Sequence, residues 1–257
     1  MNEAPSHKRV LQFVVGTAGL AIIWQIASLF FPDYLFPSIP QIVRRFVDIA
    51  TTWSTQVDVL TTAARILAGL VGAFICGVVL ALVLNKSRSA EAYLTPVLAL
   101  LQGIPALSWV VIAVIWFHGT EFRIFFIMLV TTLPAFTFQI LDAVRSMSKD
   151  LFEMTVAFRP SRLTMFRVLV VPTVVPGILT AWKVNLGNAS RVVVVAELVG
   201  ATGGVGYELL RQQQLFDMAG AIAWTLQLVA FVLVVQGIIT AIEVWALRWR
   251  PKSERAI

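Results

Sequence analysis

The chain has 257 residues, of which 58% are hydrophobic and only 13% are charged, and its mean hydropathy is +0.84. Soluble domains average about 45–50% apolar and about 25% charged residues, so this composition excludes a single water-soluble core and indicates the bilayer as solvent. The net charge of +6 is spread over the ends of apolar runs, as topology signals are, which argues against a nucleic-acid partner.

Six apolar runs have about the 20 residues that a transmembrane helix needs. They cover residues 10–31, 58–84, 93–117, 122–144, 173–199 and 221–247. We therefore expect an all-α polytopic membrane protein with six transmembrane helices, in which a cytoplasmic N-terminus (1–9) precedes a single membrane domain (10–257). The first run resembles a signal peptide, but it is long and no A-x-A site follows it, so we interpret it as an uncleaved span.

Lysine and arginine residues in the loops and at the ends of the spans are distributed unevenly between the two sides of the membrane. With the N-terminus inside, one set of loops holds thirteen of them: Lys8, Arg9, Lys86, Arg88, Arg145, Lys149, Arg159, Arg162, Arg167, Arg248, Arg250, Lys252 and Arg255. The opposite loops hold four: Arg44, Arg45, Arg123 and Arg211. Because basic residues concentrate in cytoplasmic loops, both termini are expected in the cytoplasm.

The loops expected outside contain two recognisable patterns. Residues 32–56 carry Pro37 and Pro40 followed by apolar residues at helical spacing, which predicts a short interfacial helix. Residues 200–206 read GATGGVG, but no strand–turn–helix context supports a phosphate loop, so we interpret them as a flexible turn. The sequence contains no Walker A, CxxC or HExxH motif, so we expect neither an ATP site nor a metal site in this chain.

Residues 153–172 form a charged insert, EMTVAFRPSRLTMFRVLVVP, between two apolar runs. Asp150 is placed to cap a first helix together with Glu153, and Pro160 is expected to end that helix. Ser161 is placed to cap a second helix. We expect two short amphipathic helices that meet at a corner on the cytoplasmic face. By itself the pattern favours neither of two roles, docking of a soluble partner or binding to anionic lipid.

The insert resembles the coupling loop of bacterial ABC importer permeases, whose pattern is E-A-A-x3-G-x9-I-x-L-P. The spacing matches throughout, with these residues at the motif positions: Glu153, Thr155, Arg159, Leu169, Val171 and Pro172. Residues 101–119 (LQGIPALSWVVIAVIWFHG) and 176–198 (PGILTAWKVNLGNASRVVVVAEL) are similar to stretches of the nitrate/sulfonate/taurine group of these permeases, and residues 36–41 (FPSIPQ) also fit its pattern. The resemblance extends over nearly the whole chain.

This resemblance implies a type I ABC importer permease of the bacterial inner membrane, a transport subunit without catalytic residues of its own. The implied partners are two ATPase subunits that carry ATP and Mg, a second permease copy and an outside substrate-binding protein. The implied substrate is a small anion or related solute such as nitrate, a sulfonate or taurine. The alternative is an ion-gradient-driven secondary transporter, which would need an internal repeat with interrupted spans that the sequence does not show.

The resemblance also implies coupling helices at about 148–172. Its ATPase-coupling residues would be Glu153, Thr155, Ala157, Arg159, Pro160, Ser161, Arg162 and Pro172. The glycine of the family motif permits a positive φ at the corner between the helices, whereas Arg159 adopts one only at a cost. We therefore expect Pro160 to make the corner by another route, with Arg159 extended before it.

Polar residues inside apolar spans usually face a bundle interior or a water-filled cavity. The candidates for lining a translocation pathway are Gln102, Ser108, Asn185, Asn188, Arg191 and Glu197, with Arg65 as a further candidate. For the neutral residues, hydrogen bonding between helices is the competing interpretation. Arg191 would meet an anionic substrate or a carboxylate on another span, because Glu197 lies about 240° around the same helix. Pro105 and Pro134 predict kinks.

Overall fold

The computed structural model describes residues 6–248, and every regular element within that range is helical. The helices are α1 (Ser6–Ala27), α2 (Ile39–Thr51), α3 (Trp53–Lys86), α4 (Arg88–Gly103), α5 (Ala106–Trp116), α6 (Thr120–Arg145), α7 (Lys149–Ala157), α8 (Arg162–Met165), α9 (Val171–Leu198), α10 (Val205–Gln214) and α11 (Met218–Ala246). A π-helical turn (Phe166–Val170) joins α8 to α9. The predicted all-α membrane fold is confirmed.

Among the helices of the described range, four are long and apolar enough to cross a membrane: α3, α6, α11 and the continuous helix Arg162–Leu198 that contains α8 and α9. Helices α4 and α5 pass the same test together as one span bent by 95°. Five of the six predicted spans therefore have a counterpart. The run at 10–31 is not among these spans: α1 ends at Ala27, and only the segment Val14–Ala27 of it is described in full as an apolar helix, so this sixth span stays a prediction.

The two prolines that predict kinks behave differently. At Pro105 the span breaks completely, since Gly103 ends α4 and Ile104 takes the extended backbone (φ −75°, ψ 125°) that a following proline favours. Helix α6 instead continues through the buried Pro134 to Arg145. A proline in a spanning helix is tolerated where neighbouring helices satisfy the freed backbone groups, so tertiary packing decides which one breaks.

Helices α3, α6 and α9 pack against one another at the centre of the bundle, with small residues at the points of closest approach. A Cβ atom on Gly69 of α3 would lie 2.6 Å from Cβ of Met128 on α6. A Cβ atom on Gly177 of α9 would lie 2.6 Å from Cβ of Ala143, also on α6. Close backbone approach of this kind is how helices gain van der Waals contact in a membrane. These crossings set the rotation of α6 and α9 about their axes.

The predicted interfacial helix is α2, which begins after Ser38. Gln41 Oε1 accepts a hydrogen bond from the Ser38 backbone N–H at 2.9 Å and so caps the helix start. Ile42 and Ile49 are buried, and Gln227 Nε2 of α11 donates to the Phe46 carbonyl at 2.9 Å. The apolar face of α2 is therefore packed against protein rather than left for lipid.

Candidate functional site

The insert forms the predicted pair of helices, with two corrections to their bounds. Ser148, not Asp150, caps α7, because its Oγ accepts a hydrogen bond from Leu151 N at 3.5 Å. Ser161 caps α8 as predicted, accepting from Thr164 N at 3.2 Å. The second helix is not separate, because α8 continues through the π-helical turn into α9. Movement of α8 would therefore be transmitted directly into a membrane span.

The corner between α7 and α8 is made by Arg159, whose φ is +48°. The expectation of an extended Arg159 is therefore wrong. The Arg159 N–H donates to the Val156 carbonyl at 2.9 Å, the bond by which a left-handed residue closes a helix C-terminus. Pro160 has no N–H with which to satisfy another of the last carbonyls. This bond offsets the roughly 1–2 kcal/mol that a non-glycine residue requires in the left-handed region.

The insert presents an exposed surface that is both apolar and basic. Phe158 is 80% exposed and Leu163 is 57% exposed. Of the eight predicted coupling residues, five are exposed (Glu153, Ala157, Arg159, Ser161 and Arg162) and three are half-buried (Thr155, Pro160 and Pro172). Glu153 makes no hydrogen bond or ion pair within the described residues, so its carboxylate remains available to a partner.

A cavity of about 550 Å³ lies beside the break between α4 and α5. Its polar lining comes from the break, α6 and α9, and consists of Gln102, Thr131, Gln139, Asn185, Asn188 and Arg191. Four of the six predicted pathway residues therefore meet at one place. The residues from α6 and α9 recur every three or four positions, so each helix presents one face to the cavity.

Asn185 and Gln139 join α9 to α6 at the cavity wall. Asn185 is 1% exposed, and its Nδ2 donates to Gln139 Oε1 at 2.7 Å and to the Ala181 carbonyl at 2.9 Å. Asn185 thus both lines the cavity and forms a hydrogen bond between helices. The wall is held in position by a side-chain pair that sequence analysis did not identify, since Gln139 was not among the candidates.

Arg191 faces this cavity and also lines a second, mainly apolar recess of about 540 Å³ between α9 and α11. Its side chain is exposed and makes no hydrogen bond or ion pair with any residue in the range 6–248. Two partners were expected for Arg191, an anionic substrate or a carboxylate on another span, and no such carboxylate contacts it among these residues.

Glu197 and Ser108 do not line the cavity. Glu197 is 1% exposed at the opposite end of the bundle from the insert, where Arg65 Nη1 donates to its Oε1 at 2.7 Å. Thr62 Oγ1 donates to the same carboxylate at 2.9 Å. Arg65 Nε also donates to Glu121 Oε2 at 3.0 Å, so one guanidinium ties α3 to both α6 and α9. Glu197 is therefore part of a buried structural network.

The glycine-rich loop at 200–206 is attached to this network and is not a flexible turn. Gly206 N donates to Glu197 Oε2 at 2.8 Å, and Gly204 N donates to Asp58 Oδ1 at 2.8 Å. Gly204 has a φ of +112°, which requires glycine. Asp58, Thr62 and Arg65 recur four and three residues apart along α3, and this spacing was the signal available for one shared face.

A further cavity of about 590 Å³ lies at the same end as this network, between α2 and the turn after α10. Arg45 and Asp217 form an ion pair of 2.7 Å at its wall. Phe216, in the turn, is 74% exposed and has a φ of +56°. This end of the molecule thus presents a mixed polar and aromatic surface, distinct from the basic insert.

The structure is similar to a chain of the MetNI methionine ABC transporter in an inward-facing crystal form, with a TM-score of 0.60. The two chains are 16% identical, and the match covers 75% of this chain and 97% of the other. At this identity the likeness establishes the fold alone, which this chain shares with that chain of the transporter.

Several curated relatives are permeases. A probable ABC transporter permease protein of Haemophilus influenzae is 30% identical, covering 79% of this chain and 82% of the relative. The formylaminopyrimidine transport permease ThiX of Halalkalibacterium halodurans is 28% identical, covering 91% and 94%. The taurine transport system permease TauC of Escherichia coli is 27% identical, covering 77% and 75%.

The family model of the binding-protein-dependent transport system inner membrane component matches residues 73–246. That range contains the broken span, the cavity and the whole insert. The chain therefore belongs to the family of binding-protein-dependent transport system inner membrane components, the permease subunits of ABC transporters.

Proposed function

We propose that this chain forms the translocation pathway of an ATP-driven ABC importer and couples it to a cytoplasmic ATPase. The observation that carries the proposal is the exposed corner of the insert, in a chain of this family. It presents large apolar side chains beside unpaired charges, and α8 continues into a membrane span. ATP and Mg belong to the partner ATPase, so this chain is a transport component and not a catalyst.

The family assignment supports one of the two roles that the insert pattern leaves open. An amphipathic basic helix also suits anionic lipid. The chain, however, matches permeases whose family is defined by binding-protein-dependent transport, and this supports docking to an ATPase. The same assignment disfavours an ion-gradient-driven secondary transporter.

The pathway is proposed to pass through the cavity beside the α4–α5 break, with a small anion or related solute as substrate. Four predicted pathway residues, Gln102, Asn185, Asn188 and Arg191, line that cavity. A relative named for taurine transport supports a sulfonate-like solute, whereas one named for formylaminopyrimidine transport supports a heterocycle. The free guanidinium of Arg191 favours the anion.

The proposed assembly contains two ATPase subunits, a second copy of this permease or a related chain, and a substrate-binding protein on the outer side. The surface around Arg45, Phe216 and Asp217 is available to the binding protein, because it lies at the end of the bundle away from the insert. The charge asymmetry supports a bacterial inner-membrane location with both termini in the cytoplasm.

The first test is copurification with an ATPase. The permease is expressed from its native operon with an affinity tag and purified in mild detergent. We expect a nucleotide-binding subunit in the complex, because the exposed apolar surface of the insert requires a partner in water. The matched control replaces Phe158 and Leu163 with serine, which should reduce ATPase recovery severalfold without reducing the amount of inserted permease. A native complex without any nucleotide-binding subunit would contradict the proposal.

The second test concerns topology. In a Cys76→Ala background, a cysteine introduced at Ser161 is expected to resist a membrane-impermeant thiol reagent in intact cells and to react once the membrane is opened. Ser161 is exposed in the structure, so resistance in cells would reflect its side of the membrane and not burial. A cysteine at Thr51, exposed at the end of α2, should react from outside. Labelling of Ser161→Cys in intact cells would overturn the orientation.

A further inference from the structure

We infer that the cavity beside the α4–α5 break is an anion site, in which the Arg191 guanidinium holds the oxyanion group of a passing solute. The class of ligand is a small sulfonate, carboxylate or inorganic oxyanion. This inference deepens the proposed function and rests on it, because it assigns a chemical preference to the proposed pathway.

The charge of the site comes from Arg191 alone. Among residues 6–248, no aspartate, glutamate or lysine lines the cavity, so no described side chain on its wall neutralises the guanidinium. Arginine remains protonated at any physiological pH, so the charge is permanent.

Three other cations that lie within the described spans, away from the end that carries the insert, have partners. Arg65 is paired with Glu121 and Glu197, and Lys183 of α9 is paired with Glu243 of α11. Arg123 donates to the Gly200 carbonyl. An ionisable residue inside a span is expensive and normally finds such a partner or faces a water-filled pathway. Arg191 has none within residues 6–248 and faces a cavity, which is the arrangement expected when the counter-charge is a ligand.

Neutral donors surround this charge. The hydrogen bond from Asn185 to Gln139 Oε1 leaves the Gln139 amide N–H groups free to donate. Asn188 and Gln102 make no hydrogen bond within the described chain and line the same cavity. Amide N–H groups complement the remaining oxygens of a sulfonate, carboxylate or nitrate. The helix dipoles at the break do not decide whether the cavity prefers anions or cations, because the C-terminus of α4 and the N-terminus of α5 lie at the same wall.

The size of the cavity fits a small solute. Its volume of about 550 Å³ lies within the roughly 300–1,000 Å³ of small-molecule sites. A guanidinium can bind an oxyanion through two parallel hydrogen bonds, while the rest of the solute occupies the remaining space. Because the amides are uncharged, the site would bind weakly enough to release a transported solute, as conduction requires.

The test measures charge preference without requiring the identity of the substrate. Cysteine replaces Asn188 in a Cys76→Ala background of the full complex in membranes. Its reaction rates are measured with anionic 2-sulfonatoethyl methanethiosulfonate and cationic 2-(trimethylammonio)ethyl methanethiosulfonate. We expect the anionic-to-cationic rate ratio to fall about tenfold when Arg191→Gln is added, because one charge acts with opposite sign on the two reagents at close range. Any change in the thiol pKa affects both rates alike and cancels in the ratio.

Two control variants make the result specific. Arg44→Gln removes the same charge from an exposed position on α2, so the ratio should change less than about twofold because distant charges are screened. Arg191→Lys keeps the charge and should retain the anionic preference even if Arg191→Gln fails to fold. A ratio that is unaffected by Arg191→Gln, or lost equally with Arg44→Gln, would overturn the anion site.

The same membranes separate this inference from the proposed function. Copurified ATPase is quantified for each variant. An unchanged rate ratio together with normal ATPase recovery would overturn only the anion site. An Arg191-dependent ratio in a permease that never recovers an ATPase would support the site and contradict the importer assignment. Addition of taurine or nitrate is expected to slow labelling when Arg191 is present and not when it is glutamine.

Discussion

Replacement of Glu197 by alanine is expected to lower the free energy of unfolding by about 3 kcal/mol, the low end of the range for breaking a buried ion pair. The carboxylate is 1% exposed and accepts hydrogen bonds from Arg65, Thr62 and Gly206 N–H. Alanine leaves the Thr62 hydroxyl and the Gly206 N–H without this acceptor in a buried place. We expect a loss of unfolding free energy at the low end of that range because Arg65 keeps its second partner, Glu121. The measurement is the unfolding midpoint in mixed SDS micelles.

The matched control for Glu197 lies at the other end of the bundle. Glu91 forms a two-bond ion pair with Arg145 at 2.7 and 2.8 Å, but both side chains are substantially exposed. Exposed pairs contribute little because water and salt screen them, so Glu91→Ala should hardly shift the midpoint. Glu197→Gln keeps the shape and should fall between alanine and wild type. Equal shifts for Glu197→Ala and Glu91→Ala would contradict the structural role of Glu197.

Replacement of Arg159 by valine is expected to lower substrate-stimulated ATP hydrolysis by roughly threefold to tenfold. Arg159 has a φ of +48°, and a β-branched residue tolerates this region poorly, at a cost of order 1–3 kcal/mol. The corner would then relax and change the direction in which α7 enters α8. Because α8 continues into α9 but α7 is attached only through this corner, the α7 part of the docking surface would no longer keep a fixed direction relative to the span. Rates are measured in proteoliposomes with matched permease content.

Glycine at position 159 is the informative comparison. Glycine adopts the observed φ without strain, so Arg159→Gly preserves the corner and removes only the side chain. A wild-type rate for glycine with a low rate for valine would assign the effect to backbone geometry. A low rate for both would indicate that the guanidinium itself contacts the ATPase. A wild-type rate for valine would contradict the idea that this corner couples the two subunits.

The insert shows how far local sequence signals reach. Ser161 as a helix cap and the presence of a corner follow from short-range hydrogen bonding and proline sterics, and both are confirmed. The prediction for Arg159 was wrong because it considered only the extended backbone that a residue before proline prefers. The bond from its N–H to the Val156 carbonyl outweighed that preference, and the motif spacing alone does not reveal this bond.

The membrane class, five of the spans and the family are determined by the sequence itself, because hydropathy and motif spacing are properties of contiguous residues. The sequence by itself does not determine which polar residues line the cavity and which belong to the buried network. Arg65 meets Glu197 across 132 positions of sequence, and Gln139 meets Asn185 across 46. Such contacts depend on how α3, α6 and α9 are rotated about their axes. The close helix crossings at Gly69 and Gly177 set that rotation. Only the tertiary structure therefore decided that Glu197 belongs to a buried network at the end of the bundle away from the insert, while Arg191 faces an open cavity without a counter-charge among the described residues.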